Sequence, residues 1–204
     1  MPAHVIVNAG PDPTANPNLR AAAASLVPSV MRFGGSGNDF LVYDSPDQPC
    51  PSPMPAPPSP KEYGEQDHCL NVTHWDNLAS FAAAGGAKML FGASYHMNAA
   101  CAARGDYVWN ASSSGLDAWL RCLLGRAAPP AFWGFELGNE VNNRQGPAGK
   151  CQACGRRPQG QAAAFGSFAA LLARLYPDAA SRPLLVGPDS GYLNPEPWMR
   201  TFLG

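Results

Sequence analysis

Apolar residues recur in two rhythms along this chain, and the two rhythms alternate. Short apolar runs bounded by Gly or Pro read as strands at 4–7, 29–33, 87–91, 132–137 and 184–186. Helical spacing fills the stretches between them. Residues 18–26 are Ala-rich and stop at Pro28. Residues 71–84 carry Val72, Trp75, Leu78 and Ala79 on one face and end at Gly85-Gly86. Residues 112–124 have Ser114 as a candidate N-cap and Leu116, Trp119, Leu120 and Leu123 as the buried stripe. Residues 161–176 turn Phe165, Phe168, Leu172 and Leu175 inward, and 195–203 begin a last helix. Such alternation implies parallel βα units. No Gly-x-Gly-x-x-Gly run follows the first strand, so a dinucleotide site is not expected. The other arrangement is a (β/α)8 TIM barrel. Five units over this length is ~40 residues each, so three more units, ~120 residues, would complete it. The expectation is an incomplete barrel over 1–204 with a Pro-rich loop insertion at 46–60, where alternating Pro excludes helix and central strand.

The chemistry concentrates at the end of the fourth strand. There the run Phe135-Glu136-Leu137-Gly138-Asn139-Glu140 puts a Glu directly after an Asn. In a (β/α)8 barrel the reacting residues sit where a strand hands over to its loop. A Glu so placed can protonate a glycosidic oxygen, and the Asn beside it can hold the sugar's 2-hydroxyl. The competing reading is a strand-end Glu in a surface salt bridge. Glu136 lies four residues back, roughly 13 Å along a persisting strand, and reads as a structural carboxylate below the barrel mouth. Arg32, just before Gly34-Gly35, reads as a buried ion-pair partner. The two glycines either let backbone amides approach a carboxylate or serve only a tight turn.

Composition narrows the classes. The chain has 204 residues, 46% hydrophobic and 14% charged, with a formal net charge of −1. A nucleic-acid binder would show a basic face, so none is expected as a partner. No apolar stretch approaches the ~18 residues of a membrane span, and the N-terminus has no signal-peptide pattern. Six cysteines and two acceptor tripeptides, Asn71-Val72-Thr73 and Asn110-Ala111-Ser112, lean the other way, towards glycosylation at Asn71 and Asn110. They suggest a secreted, extracellular, lumenal, lysosomal or membrane-associated glycoprotein whose leader precedes Met1. Cys151-x-x-Cys154 with His68 and Cys69 makes an irregular zinc pattern, so a local disulfide or two loop thiols is preferred. No metal and no cofactor is expected.

Several of these segments, taken in order, resemble the heparanase-like glycoside hydrolases of family 79. They are Met31-Arg32-Phe33-Gly34-Gly35-Ser36 with Asp39-Phe40-Leu41, Trp75-Asp76-Asn77-Leu78, Gly86-Ala87-Lys88-Met89-Leu90-Phe91-Gly92, Trp109-Asn110, Glu136-Leu137-Gly138-Asn139-Glu140 and Gly187-Pro188-Asp189. The resemblance runs from about Met31 to Leu203. It implies a (β/α)8 barrel, a small β-sandwich built from flanking segments, and retaining endo-β-glucuronidase chemistry on a polysaccharide or proteoglycan. It makes Glu140 the acid/base and Asn139 its substrate-binding neighbour. Ser36 and the Gly35 region would line the glucuronate subsite. By position, Tyr95 and Asn98 are candidate sugar contacts, and Asp189 would line the cleft floor. Phe135 stands where the family has Trp, and Ser94 where it has Asn. The family's nucleophile belongs to the seventh strand, and this chain shows five.

A retaining glycosidase needs two carboxyl groups roughly 5 Å apart. The 204 residues alone are therefore expected to be inactive and to need a second polypeptide or a C-terminal part to complete the barrel. Asp39, Asp44 and Asp189 are the fallback carboxylates. Two other functions fit the same residues: a non-catalytic carbohydrate-binding barrel, or a relative such as an arabinofuranosidase with the same Asn-Glu pair. A cleft for heparan sulfate would want clustered cations, and the chain has only Lys61, Lys88 and Lys150 as lysines. A weakly sulfated or plant-type glucuronide is at least as good a substrate.

Overall fold

A computed structural model of the chain describes residues 15–52, 69–95, 97, 99–101, 107–126, 132–140, 158–191 and 196–204. In chain order its helices are α1 (Pro17–Ala24), α2 (Val72–Ala84), α3 (Leu116–Leu124), α4 (Pro158–Leu175) and α5 (Glu196–Leu203). Its strands are β1 (Val30–Phe33), β2 (Val42–Tyr43), β3 (Cys69–Leu70), β4 (Lys88–Ala93), β5 (Ala99–Cys101), β6 (Tyr107–Trp109), β7 (Gly134–Leu137) and β8 (Leu184–Val186).

The main sheet is four-stranded and parallel, in the order β1-β4-β7-β8. Its order follows the chain without reversal, and α2, α3 and α4 supply the crossovers. Phe33 pairs with Phe91, Phe91 with Phe135 and Phe135 with Leu185, so one row of large side chains crosses the sheet. That row faces the helices. Phe91 lies 5.4 Å from Trp75 and 6.0 Å from Trp119, and Phe135 lies 5.6 Å from Phe168. Each such aromatic pair adds roughly 0.5–1.5 kcal/mol to the burial of its area. Side chains alternate along a strand, so Arg32 and Glu136, each one residue from this row, point to the opposite face. The apolar row thus sorts the charged residues onto one side of the sheet.

Two small sheets stand apart. β2 and β3 pair in parallel, and β5 and β6 pair antiparallel. The Cys50–Cys69 disulfide closes the chain between β2 and β3, which contains the Pro-rich stretch. Residues 46–52 of that stretch begin with a tight turn bridged between Ser45 and Gln48.

The helices fall close to where the apolar spacing puts them. In α2, Trp75, Leu78, Phe81 and Ala82 are buried, while Val72 and Ala79 pack against the core from its edge. In α4, Gln161, Ala164, Phe168, Leu171 and Leu172 are buried, with Phe165 and Leu175 at the margin. The expected 112–124 helix is instead two pieces, a 3-10 turn at Ala111–Ser113 and α3. Gly115 caps α3 in place of Ser114, with φ of 81°. A Cβ on Gly115 would fall 2.5 Å from the carbonyl oxygen of Tyr43, so close approach decides the cap over serine's preference. The polar, Gly-rich sequence of 145–160 predicts a loop, but 158–160 are the first residues of α4. The rest of that loop, the expected strand at 4–7, Cys151, Cys154, His68, His96, Asn98, Lys61 and Lys150 lie outside the described residues.

Candidate active site

β1 ends in Phe33, and the next residues turn across the carboxyl ends of β4 and β7. Gly34 lies under the Arg32 guanidinium, and a Cβ there would stand 3.0 Å from its Cζ and Nε. Gly35 caps a 3-10 helix, Ser36–Phe40. Asn38, buried in that helix, donates from Nδ2 to the carbonyls of Phe33 (3.2 Å) and Gly92 (2.8 Å), tying β1 to β4. Asp39 is fully buried. Its carbonyl accepts from Ser94 Oγ at 2.8 Å, and the Ser94 N–H donates to the Tyr43 hydroxyl oxygen at 2.9 Å. Its carboxylate Oδ1 accepts the backbone N–H of Asn139 at 3.0 Å.

β7 stops at Leu137, and the backbone then bends sharply. Gly138 has φ of 78° and Glu140 φ of 48°. A residue with a side chain held in the left-handed region costs of order 1–3 kcal/mol, and such conformations cluster at functional sites. The strand therefore does not persist from Glu136 to Glu140, while Glu136 itself is the buried, hydrogen-bonded structural carboxylate expected of it. Glu136, Asn139 and Asp189 all meet one guanidinium. Arg32 donates from Nε to Glu136 Oε2 at 2.5 Å, and from Nη2 to Asp189 Oδ2 at 2.5 Å and to Asn139 Oδ1 at 3.1 Å. Arg32 is therefore an ion-pair partner as expected, though its side chain is 40% exposed and not buried.

The electrostatics follow burial. Burial works against the Arg32 charge, but the hydrogen bond and charge of Glu136, with Asp189 and Asp39, more than offset it and hold the guanidinium above its ordinary value. Glu136 is more deeply buried than its partner, and burial pushes its carboxyl up. Arg32 recovers only part of that, and Asp189 adds to the rise. Burial also raises the Tyr43 hydroxyl; the Ser94 N–H opposes this and Asp39 reinforces it.

The candidate residues fall into two groups. Glu140 is exposed, and its side chain packs on buried Gly191 at the end of the β8 segment. Asn139 is buried beside it, Asp189 is paired with Arg32, and Gly35 and the backbone of Ser36 form the turn above β1. Tyr95 is different: it is fully buried in the hydrophobic core, away from solvent. Asp44 accepts the Cys50 N–H at 2.9 Å beside the disulfide and is remote in role from this cluster. Asp44, Cys50 and Cys69 come within ligand range of one another, but both sulfurs are in the disulfide and the thiolate is the ligand. That also removes Cys69 from the zinc pattern. Of the two expected glycosylation sites, Asn110 is exposed, whereas Asn71 is half-buried. The contact of Gly191 with Glu140 had no signal in the sequence. Asp39 did have one, since Asp39-Phe40-Leu41 is among the segments that carry the family resemblance.

With this geometry in hand, the comparisons identify the class: the chain belongs to glycosyl hydrolase family 79, whose N-terminal domain matches residues 12–204. It is similar to heparanase-like protein 3 of Arabidopsis thaliana, 27% identical over 129 residues. That stretch covers 60% of this chain and 23% of the relative, so the chain spans well under half of that protein's length. No helix among the described residues is long and apolar enough to cross a membrane.

Proposed function

We propose that this chain forms part of a (β/α)8 glycosidase domain that cleaves β-glucuronides with retention, and that Glu140 is its acid/base. One observation carries the reading: in a member of family 79, Glu140 stands at the carboxyl end of a parallel strand, next to an Asn held from two sides. That is where barrel enzymes place reacting groups. The unreversed strand order supports a barrel over a doubly wound sheet, whose order reverses at its switch point. The substrate is a polysaccharide or proteoglycan glucuronide. Asn139 contacts the sugar's 2-hydroxyl, Ser36 and Gly35 line the carboxylate subsite, and the 1–204 segment with its 46–60 insertion is a partial catalytic domain. A secretory route fits as well, since a disulfide persists in oxidising compartments and Asn110 is exposed.

The test uses the intact protein and two β-glucuronides, one with a poor alkyl or sugar leaving group and one with an activated aryl group. Glu140→Gln should slow the first by roughly 10²–10⁴-fold and the second far less, because a good leaving group needs little protonation. Equal losses on both with the fold intact would refute the acid/base assignment. A specific observation also favours a second reading, a non-catalytic carbohydrate-binding relative: Arg32 already engages both Glu136 and Asp189. Saturable glucuronide binding without turnover by the intact protein would select it.

A further inference from the structure

Beyond Gly138, whose N–H still reaches the Ala93 carbonyl, side chains take over the placement of the strand end. Asn139 is gripped at two points from an early segment of the chain. Asp39 takes its backbone N–H and Arg32 takes its side-chain oxygen. Each gripping residue is itself fixed. Asp39 sits in a buried turn bound to Ser94, and Asn38 in the same turn binds the ends of β1 and β4. Arg32 is fixed by Glu136 from β7 and by Asp189 just after β8. A guanidinium presents several donors in one rigid plane, so a single residue can hold three strand ends in register.

From this we infer that Arg32 and Asp39 are positioning residues for the reaction, setting the Asn139-Glu140 dipeptide, and that Glu136 and Asp189 anchor Arg32. The role of Glu140 in this inference rests on the glucuronidase reading above; the clamp itself does not. Held this way, the two reacting-site residues need no reorganisation when substrate arrives, and a misplacement of about 1 Å at such a site costs on the order of 10²-fold in rate.

The experiment compares wild type, Arg32→Lys, Asn139→Ala and the double variant in the intact protein. Lysine keeps a cation between Glu136 and Asp189 but cannot fork to all three acceptors. Steady-state rates on the poor-leaving-group glucuronide are measured beside amide hydrogen exchange of the 136–140 segment. Arg32→Lys should lower kcat by roughly 10- to 100-fold with KM little changed. The double variant should lose no more than Asn139→Ala alone, because both act through one group. Exchange at 136–140 should quicken by about tenfold or more while β4 stays protected. Asp39→Asn, which keeps an oxygen acceptor of the same shape, should retain activity that Asp39→Ala loses. Additive losses, a change in KM alone, or unchanged exchange at 136–140 would overturn the inference. If wild type turns over no glucuronide, the functional reading falls, and the exchange result alone upholds or overturns the clamp.

Discussion

Replacing Gly191 with alanine should move the Glu140 carboxyl group and the strand end that carries it. A Cβ on Gly191 would lie 2.5 Å from Cγ of Glu140, 2.6 Å from its Cδ and 2.7 Å from its Cβ. Carbon atoms rest at about 3.5–4.0 Å, so one side must give by roughly 1 Å. Gly191 is not among the glycines with positive φ, so its backbone accepts alanine. Cγ and Cδ can swing away by side-chain rotation, but Cβ is fixed to the backbone, so the displacement falls on the Glu140 side chain and on the strand end that carries it. On the glucuronidase reading, a shift of that size at the reacting group costs on the order of 10²-fold, about 2.7 kcal/mol in the barrier. Shifting that backbone lowers stability by roughly 1–3 kcal/mol, offset in part because losing a glycine restricts the unfolded chain. The assay measures kcat of Gly191→Ala on both glucuronides, with a thermal melt of the same preparation. The expected result is a large loss on the poor leaving group, a small loss on the activated one and a modest fall in the melt that leaves the protein folded at the assay temperature. An unchanged kcat would refute the packing argument. An equal loss on both substrates would refute the link from packing to protonation.

Other outcomes follow from single contacts. Reducing the Cys50–Cys69 bridge, which spans 19 residues, should lower stability by about 3 kcal/mol and shift the thermal midpoint down; an unchanged melt under reductant would contradict this. In a secretory host with a supplied leader, Asn110 should carry glycan more fully than half-buried Asn71, as read by the mass shift of each peptide on deglycosylation. Asn71 also caps α2 through His74 N–H, so Asn71→Ala should cost about 1 kcal/mol by denaturant midpoint. For Glu136, burial raises the folded-state pKa, so the native state binds that proton more tightly than the unfolded chain does. Its contribution is full below the ordinary carboxyl range and is lost as pH rises through the raised value. The urea midpoint of wild type relative to Glu136→Gln should therefore fall with rising pH across that window; a difference that grows with pH would reverse the sign and the argument.

The elements were legible where burial is local. Phe33, Phe91 and Phe135 each sit in a short apolar run, and helical spacing marks Trp75 and Leu78 or Phe168 and Leu172 whatever the tertiary contacts. Cap chemistry was less so. Ser114 is the better cap by type, yet the Tyr43 carbonyl, brought in from far along the chain, admits only glycine at 115. The Cys50–Cys69 pairing depends on two-residue strands lying side by side, which no spacing rule specifies. At the candidate site Glu140 was legible, because Asn139-Glu140 is contiguous and ends an apolar run. Its environment was not. Arg32 reaches partners 104, 107 and 157 residues away, and Gly191 is visible only once the β7 and β8 ends are adjacent.

The Arg32 cluster also bears on where a second reacting carboxylate comes from. A retaining mechanism needs a carboxylate that attacks the anomeric carbon while another protonates the leaving oxygen, the two roughly 5 Å apart. An attacking oxygen must present an available electron pair. Glu136 and Asp189 each share one oxygen with a guanidinium at 2.5 Å, which draws charge from both and fixes their orientation. Asp39 is committed to the Asn139 N–H in a fully buried turn, and Asp44 to the Cys50 N–H beside the disulfide. Each fallback carboxylate is thus occupied in holding the fold or the Asn139 clamp, while Glu140 is exposed on a strained strand end. On the glucuronidase reading, the described residues supply the proton donor and the frame that aims it. A nucleophile whose oxygens are both free of these contacts then comes from outside this cluster.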